Sequence, residues 1–273
     1  MEKVSYTAQW TAAARALESE RGAAARFRDE YARLLASDKG FELLARYKGT
    51  AVADYVALRT KFVDDAILQL LDQQTIEQVV LVASGMDTRA YRLPWPNGVT
   101  LYEVDHVDLL TFKNTELQAY MTKRLVPTIG VGADLAGDWV PKLKAAGHDP
   151  QRPSLWVAEG LFFFLSADQA AALLQVLARH ATRESWLVTD MISQSLLTHP
   201  ITQPFLKTLR SDGTPWIFGT DDPEGFLRDN GWQAARVAQP GEPGAGEGHW
   251  PYSPVPRAVR GVPRNWLITA RRT

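Results

Sequence analysis

The sequence predicts an α/β protein, with a mostly parallel sheet covered by helices on both faces and a helical segment in front of it. Three observations carry this. From residue 78 onward, apolar strand-like runs alternate with helical segments, the texture of a sheet buried on both sides. The first 75 residues show helical spacing instead. The first strand ends in a glycine turn, and the next ends in an acid 20 residues after that glycine. A chain of 273 residues, 45% hydrophobic, can bury a sizeable core. It reads as a single domain over 1–273: a helical N-terminal cap or lid (1–75) and a Rossmann-like core (76–273) with inserts at 193–220 and 239–263.

In chain order, 7–18 and 24–36 are alanine-rich, free of proline, and expected to be helical. The stretch 50–71 carries an apolar stripe through Val52, Tyr55, Val56, Phe62, Val63, Ala66, Ile67, Leu70 and Leu71. The i+3/i+4 rhythm of that stripe passes through position 59, which is Arg59. A guanidinium on a buried face needs a carboxylate partner. Strands are expected at 78–84, 99–105, 125–131, 154–160 and 185–192, with helices at 107–122, 136–146 and 166–182 between them. A helix through "DPEGFLRDNGW" precedes a weaker strand at 234–238, and "NWLITARR" (265–272) is a closing strand. The glycine- and proline-dense 239–263 is a long loop of the kind that forms lids and binding loops.

Composition narrows the function. A net charge of −1 and a pI near 6.5 give no basic surface for nucleic acid or an anionic membrane. The absence of cysteine excludes disulfides, thiolate metal sites and cysteine nucleophiles. The histidines show no metal-ligand spacing, so no metal is expected. "MEKVSYTAQW" lacks a leader's apolar core, and no run approaches the ~20 apolar residues of a membrane span, so a cytoplasmic location is expected.

The turn "VVLVASGMDTRAYRL" (79–93) carries the chemistry. A dinucleotide fold places G-x-G-x-x-G here, so that backbone N–H groups approach a pyrophosphate. This chain has Ala83, Ser84, Gly85, Met86, Asp87 and Thr88, with one glycine and an acid that would repel phosphate. S-adenosylmethionine has no phosphate. It carries adenosine, a sulfonium, an ammonium and one carboxylate, and suits such a turn better. Asp105 stands at the spacing of a ribose-binding acid. Asp134 in "GADL" and Glu159 in "AEG" lie at or near further strand ends, and Arg59 is the candidate cation for the methionine carboxylate. Asp87 and Thr88 can also cap the helix after the turn, and Arg59 can also brace its helix against Asp64 or a sheet acid.

The stretches "VLVASGMDTRAYRLPWP", "LYEVDHVDLLTFKNTEL", "GADLAGDW" and "RPSLWVAEGLFFFLS" together resemble the leucine carboxyl methyltransferase family. They are closest to its bacterial branch of S-adenosylmethionine-dependent O-methyltransferases, many of them linked to secondary metabolism. "TAQWTAAARALES" and "PRNWLITARR" extend the resemblance over nearly the whole chain. It implies the class I methyltransferase fold, a seven-stranded sheet with the last strand antiparallel. It implies that Arg59 holds the methionine carboxylate and that Ala83, Ser84, Gly85 and Asp87 form the cofactor turn. Asp105 with His106 would face the ribose, Asp134 and Leu135 the adenine edge, and Glu159 with Gly160 the methionine end. Two departures stand out: Ala83 replaces the first glycine of the turn, and Phe164 stands where the family often has an acceptor-side tyrosine. The family's N-terminal lysine ligand has no clear match.

The acceptor is expected to be a small molecule. Phe163 and Phe164 are candidates for its wall, and Arg257 for an acidic group on it. A carboxylate acceptor is already ionised and needs no base, whereas a phenol of pKa about 10 does. The motifs offer no such base, which favours methyl-ester formation. Methylation of a phenol or alcohol would enlist His199 or His249 as base, from the 193–220 and 239–263 segments expected to close over the acceptor. A nicotinamide-dependent oxidoreductase and a non-catalytic nucleotide-binding protein are the readings from other classes.

Overall fold

The computed structural model describes residues 3–273, with side-chain surroundings from Tyr6 onward. Met1 and Glu2, which begin the segment read above for a leader, lie outside the described residues. Among the described residues seven strands form one sheet: β1 (Gln78–Val82), β2 (Thr100–Asp105), β3 (Thr128–Gly132), β4 (Ser154–Ala158), β5 (Trp186–Ile192), β6 (Trp232–Ala238) and β7 (Asn265–Arg272). Their order is β3-β2-β1-β4-β5-β7-β6. β1 to β5 run parallel, and β7 runs antiparallel to both its neighbours, β5 and β6. Among the described residues no helix is long and apolar enough to cross a membrane.

The buried strands alternate between two cores, one on each face of the sheet. Val79, Leu81, Leu101, Leu155, Val157, Val188 and Leu267 face the first, and Val80, Val82, Val104, Trp156, Leu187 and Ile268 the second. The first core is covered by α1 (Lys3–Ser19), α2 (Ala32–Ala45) and α3 (Val52–Gln73), and the short α4 (Arg89–Arg92) and α5 (Val107–Ala119) flank them. α6 (Val140–Ala145) and α7 (Ala167–Arg179) cover the second. Ser166 starts α7 with a capping box closed by Gln169.

The helix expected over 24–36 is not formed as such. Residues 25–31 are irregular, and α2 begins at Ala32 and kinks at Ser37, which has φ 51° and ψ 175°. Alanine richness favoured helix, but the chain here turns back to pack α2 on α1. The 193–220 insert holds α8 (Gln194–Thr198) and α9 (Gln203–Ser211), and α10 (Pro223–Asp229) leads into β6. A string of aromatic contacts stitches the insert to the N-terminal helices: Trp10 to Tyr47 at 5.3 Å between ring centres, Tyr47 to Phe205 at 5.5 Å, Phe205 to Trp216 at 5.1 Å and Trp216 to Phe163 at 4.3 Å.

Candidate active site

Parallel pairing sets Val82 beside Val104, Leu81 beside Val157 and Asp105 beside Gly132. The C-terminal ends of β1 to β4 therefore share one rim, where an open α/β sheet binds ligands. Over that rim lies a cavity of about 410 Å³. Ala83 and Gly85 both turn through left-handed backbone, at φ 56° and 52°, which swings the chain away from the sheet. Ala8 of α1 sits directly above: a Cβ on Gly85 would reach its methyl at 3.4 Å.

The cavity draws together the turn residues Ala83, Ser84, Gly85 and Asp87, the rim pairs Asp105–His106 and Asp134–Leu135, and Glu159, Gly160 and Arg59. Asp105 accepts from the Gly85 amide and the His106 amide, each at 2.7 Å. It thereby ties the first turn to the second strand and keeps lone pairs for a further donor. Asp134 accepts from the Ala136 amide at 2.9 Å.

At the other end the site is a network of arginines and carboxylates. Arg59, 6% exposed, donates from Nε to Glu159 at 2.9 Å and from Nη1 to Asp190 of β5 at 3.2 Å. Arg89 donates to Asp64 at 2.7 Å, to Glu159 at 2.7 Å and to Asp87. Arg92 grips Asp64 with both terminal nitrogens, at 2.5 and 2.8 Å. Asp64 thus braces Arg89 and Arg92, while Arg59 is held by Asp190 of β5 and by Glu159, just past the end of β4. Burial pushes the Glu159 carboxyl up, but Arg89 and Arg59 outweigh it and hold it at about 2. Burial raises Asp190 above the usual carboxylate range despite Arg59.

Arg15 of α1 also lines the cavity and was not expected. Its Nε donates to Asp29 at 2.9 Å and its Nη2 to the Met86 carbonyl at 2.6 Å. Thr7, Thr11 and Arg15 stand four residues apart on one face of α1 and share the cavity. That spacing was the available signal, although the surrounding alanines give the helix little apolar contrast. The hydroxyls of Thr7, Thr60 and Ser84, all of cavity-lining residues, are buried without a hydrogen-bond partner among the described residues.

Several expected acceptor residues lie elsewhere. Phe164 lines the cavity, but Phe163 is buried behind it, against Trp216. Gly213, Thr214 and Pro215 of the insert reach the cavity. The 239–263 loop does not. It packs on α3, with Gly246 against Leu58, and Arg264 fastens it through the carbonyls of Pro256, Val259 and Val262. His249 lies on that loop, its carbonyl held by Arg26 at 2.9 Å. His199 caps a helical turn by accepting from the Ile201 amide at 3.2 Å, and Arg257 is bound to Glu224. None of these three lines the cavity, and no cluster able to hold a metal occurs among the described residues.

The sheet order, the single reversed strand and the rim cavity are those of the class I methyltransferase fold. Solved structures agree in fold. A DUF574-family protein from Streptomyces avermitilis superposes with a TM-score of 0.67 at 14% identity, covering 96% of this chain and 97% of that one. Magnesium protoporphyrin IX methyltransferase from Synechocystis, solved with bound SAH, gives 0.50 at 17% identity, covering 86% and 95%. The model of leucine carboxyl methyltransferases matches residues 8–178. A Streptomyces avermitilis protein is 34% identical over 84% of this chain and 82% of its own, and a Streptomyces coelicolor protein 35% over 84% and 83%. Both are provisionally named S-adenosyl-L-methionine-dependent methyltransferases. The chain belongs to the leucine carboxyl methyltransferase family, and with it to the S-adenosylmethionine-dependent methyltransferases.

Proposed function

We propose that the protein methylates a carboxylate on a small, largely apolar metabolite, giving a methyl ester. The observation that carries this is the make-up of the cavity wall. Its titratable groups are arginines, carboxylates and His106, which follows Asp105 at the β2 end. Glu159, held at about 2 by Arg89 and Arg59, is no proton acceptor for a phenol, and Asp87 is bound by Arg89. An acceptor that arrives ionised needs no base.

The residues present fit S-adenosylmethionine. The turn has an acid where a phosphate would sit, and buried hydroxyls on Thr60 and Ser84 await partners. Asp105 takes the ribose hydroxyls, and Asp134 with Leu135 the adenine edge. Arg59 and Arg15 take the methionine carboxylate: Nη2 of Arg59 and Nη1 of Arg15 make none of the hydrogen bonds that hold the rest of these two groups. Glu159 takes the ammonium. Bound there, the cofactor would supply an electrophilic methyl to the acceptor oxygen, with sulfur keeping the electron pair of the broken C–S bond. The chain's part is alignment and exclusion of water. Phe164, Leu165 and Pro215 give the acceptor an apolar wall.

Calorimetric titration with S-adenosylhomocysteine, with NADH and NADPH as controls, tests the cofactor. Micromolar binding of the first alone is expected. A screen of carboxylic acids and matched phenols with methyl-labelled S-adenosylmethionine tests the chemistry. Label is expected in base-labile esters; label in stable aryl ethers would overturn the carboxylate assignment.

A further inference from the structure

We propose that Asp190 is a positioning residue for the methionine end of the cofactor, acting through Arg59 and the Gly160 peptide. This rests on the reading above that Arg59 binds the cofactor's carboxylate. Asp190 is fully buried at 0% exposure and does not line the cavity, so it touches no ligand itself. Its carboxylate gathers three donors. Oδ1 accepts from the Gly160 amide at 2.6 Å, and Oδ2 from Tyr55 Oη at 2.8 Å and Arg59 Nη1 at 3.2 Å.

These contacts do more than neutralise a buried charge. Tyr55 and Arg59 are one turn apart on α3, so a single carboxylate oxygen pins two successive turns of that helix to β5. Arg59 is then fixed at two of its three nitrogens, Nε by Glu159 and Nη1 by Asp190. A guanidinium is planar, so the direction of Nη2 follows. The other carboxylate oxygen sets the Glu159–Gly160 peptide against the same group. Gly160 has φ 68°, and a Cβ there would come within 2.9 Å of Arg59 Nη1. One buried acid therefore places both the cation that meets the cofactor's carboxylate and the backbone beside the acid that meets its ammonium.

The test uses two ligands that share the adenosine and thioether but differ in the amino acid: S-adenosylhomocysteine and 5′-methylthioadenosine. Asp190→Asn keeps the size and loses the charge. It is expected to weaken S-adenosylhomocysteine about tenfold, the scale of one charge-assisted hydrogen bond, and to leave 5′-methylthioadenosine within about twofold. Tyr55→Phe removes one donor without stranding a charge, and about a threefold loss for S-adenosylhomocysteine alone is expected. It serves where Asp190→Asn fails to fold. A loss shared equally by both ligands would assign Asp190 to general support of the fold, and no loss for either would leave it no role; each result overturns the proposal. Failure of the unaltered protein to bind S-adenosylhomocysteine would overturn the cofactor reading first and this inference with it.

Discussion

Ala83 holds its backbone at φ 56°, where a Cβ meets the following carbonyl and costs roughly 1 kcal/mol or more. The family resemblance puts a glycine there. Ala83→Gly is expected to raise the thermal midpoint, by up to about 1 kcal/mol in stability, because relief of that strain exceeds the entropy glycine adds to the unfolded chain. A lowered midpoint would show that the turn gains more from the methyl than the strain takes. Arg59→Ala is expected to weaken S-adenosylhomocysteine tenfold or more, and calorimetry reads it directly. His148 sets an acid limit. It is buried, bonded to Ser154 at 3.1 Å and set edge-on to Tyr102, and burial pushes its imidazole down to about 4. Between about pH 6.5 and 4 the unfolded chain binds a proton there that the folded chain refuses, so stability falls as pH drops through that window. The loss is on the order of 2–3 kcal/mol. His148→Phe is expected to flatten urea midpoints between pH 7 and pH 5, where the parent's fall. At this scale Arg59 was legible because it interrupts an apolar stripe. Asp190 obeys the same logic, an acid inside the apolar "WLVTDMI", and the two interruptions are partners. Which acid meets which arginine is a matter of register between α3 and β5, and no local pattern encodes that.

Strands were the most legible elements, because burial on both faces makes them continuous apolar runs. Helix limits in the N-terminal segment were not, since alanine is helix-favouring wherever it falls and the irregular 25–31 is set by packing of α2 on α1. The 239–263 loop had the composition of a lid but lies against α3, anchored by Arg264. β2 and α5 show a different device. Lys113, 0% exposed, faces Glu103, 2% exposed, at 2.9 Å. Lys113→Met strands a buried carboxylate and is expected to cost about 3–5 kcal/mol in a denaturant titration. Adding Glu103→Leu is expected to recover most of that. If the double replacement is as unstable as the single one, packing rather than charge fixes α5 on the sheet.

For the whole molecule, the cavity is closed by pieces far apart in sequence: α1, the ends of β1 to β4 and the 213–215 segment of the insert. A ligand that touches all of them stabilises them together. S-adenosylhomocysteine at a hundredfold excess over its dissociation constant is expected to add about 2.7 kcal/mol to unfolding and to protect the N-terminal helices from protease. Protection confined to the sheet would separate those helices from the cofactor site.

The position of β7 has a consequence for synthesis. It is the last strand in sequence, yet it lies between β5 and β6. β1 to β5 can pair as they leave the ribosome. β6 cannot, because β7, its sheet neighbour among the described residues, has not yet been made. Until residues 265–272 emerge, β5 presents an open edge and the second core lacks Trp266, Ile268 and Ala270. An open apolar edge is an invitation to pair with the wrong chain. The nascent protein therefore carries that open edge from the emergence of β5 until residues 265–272 follow, and a stall anywhere between the two strands should prolong the exposure.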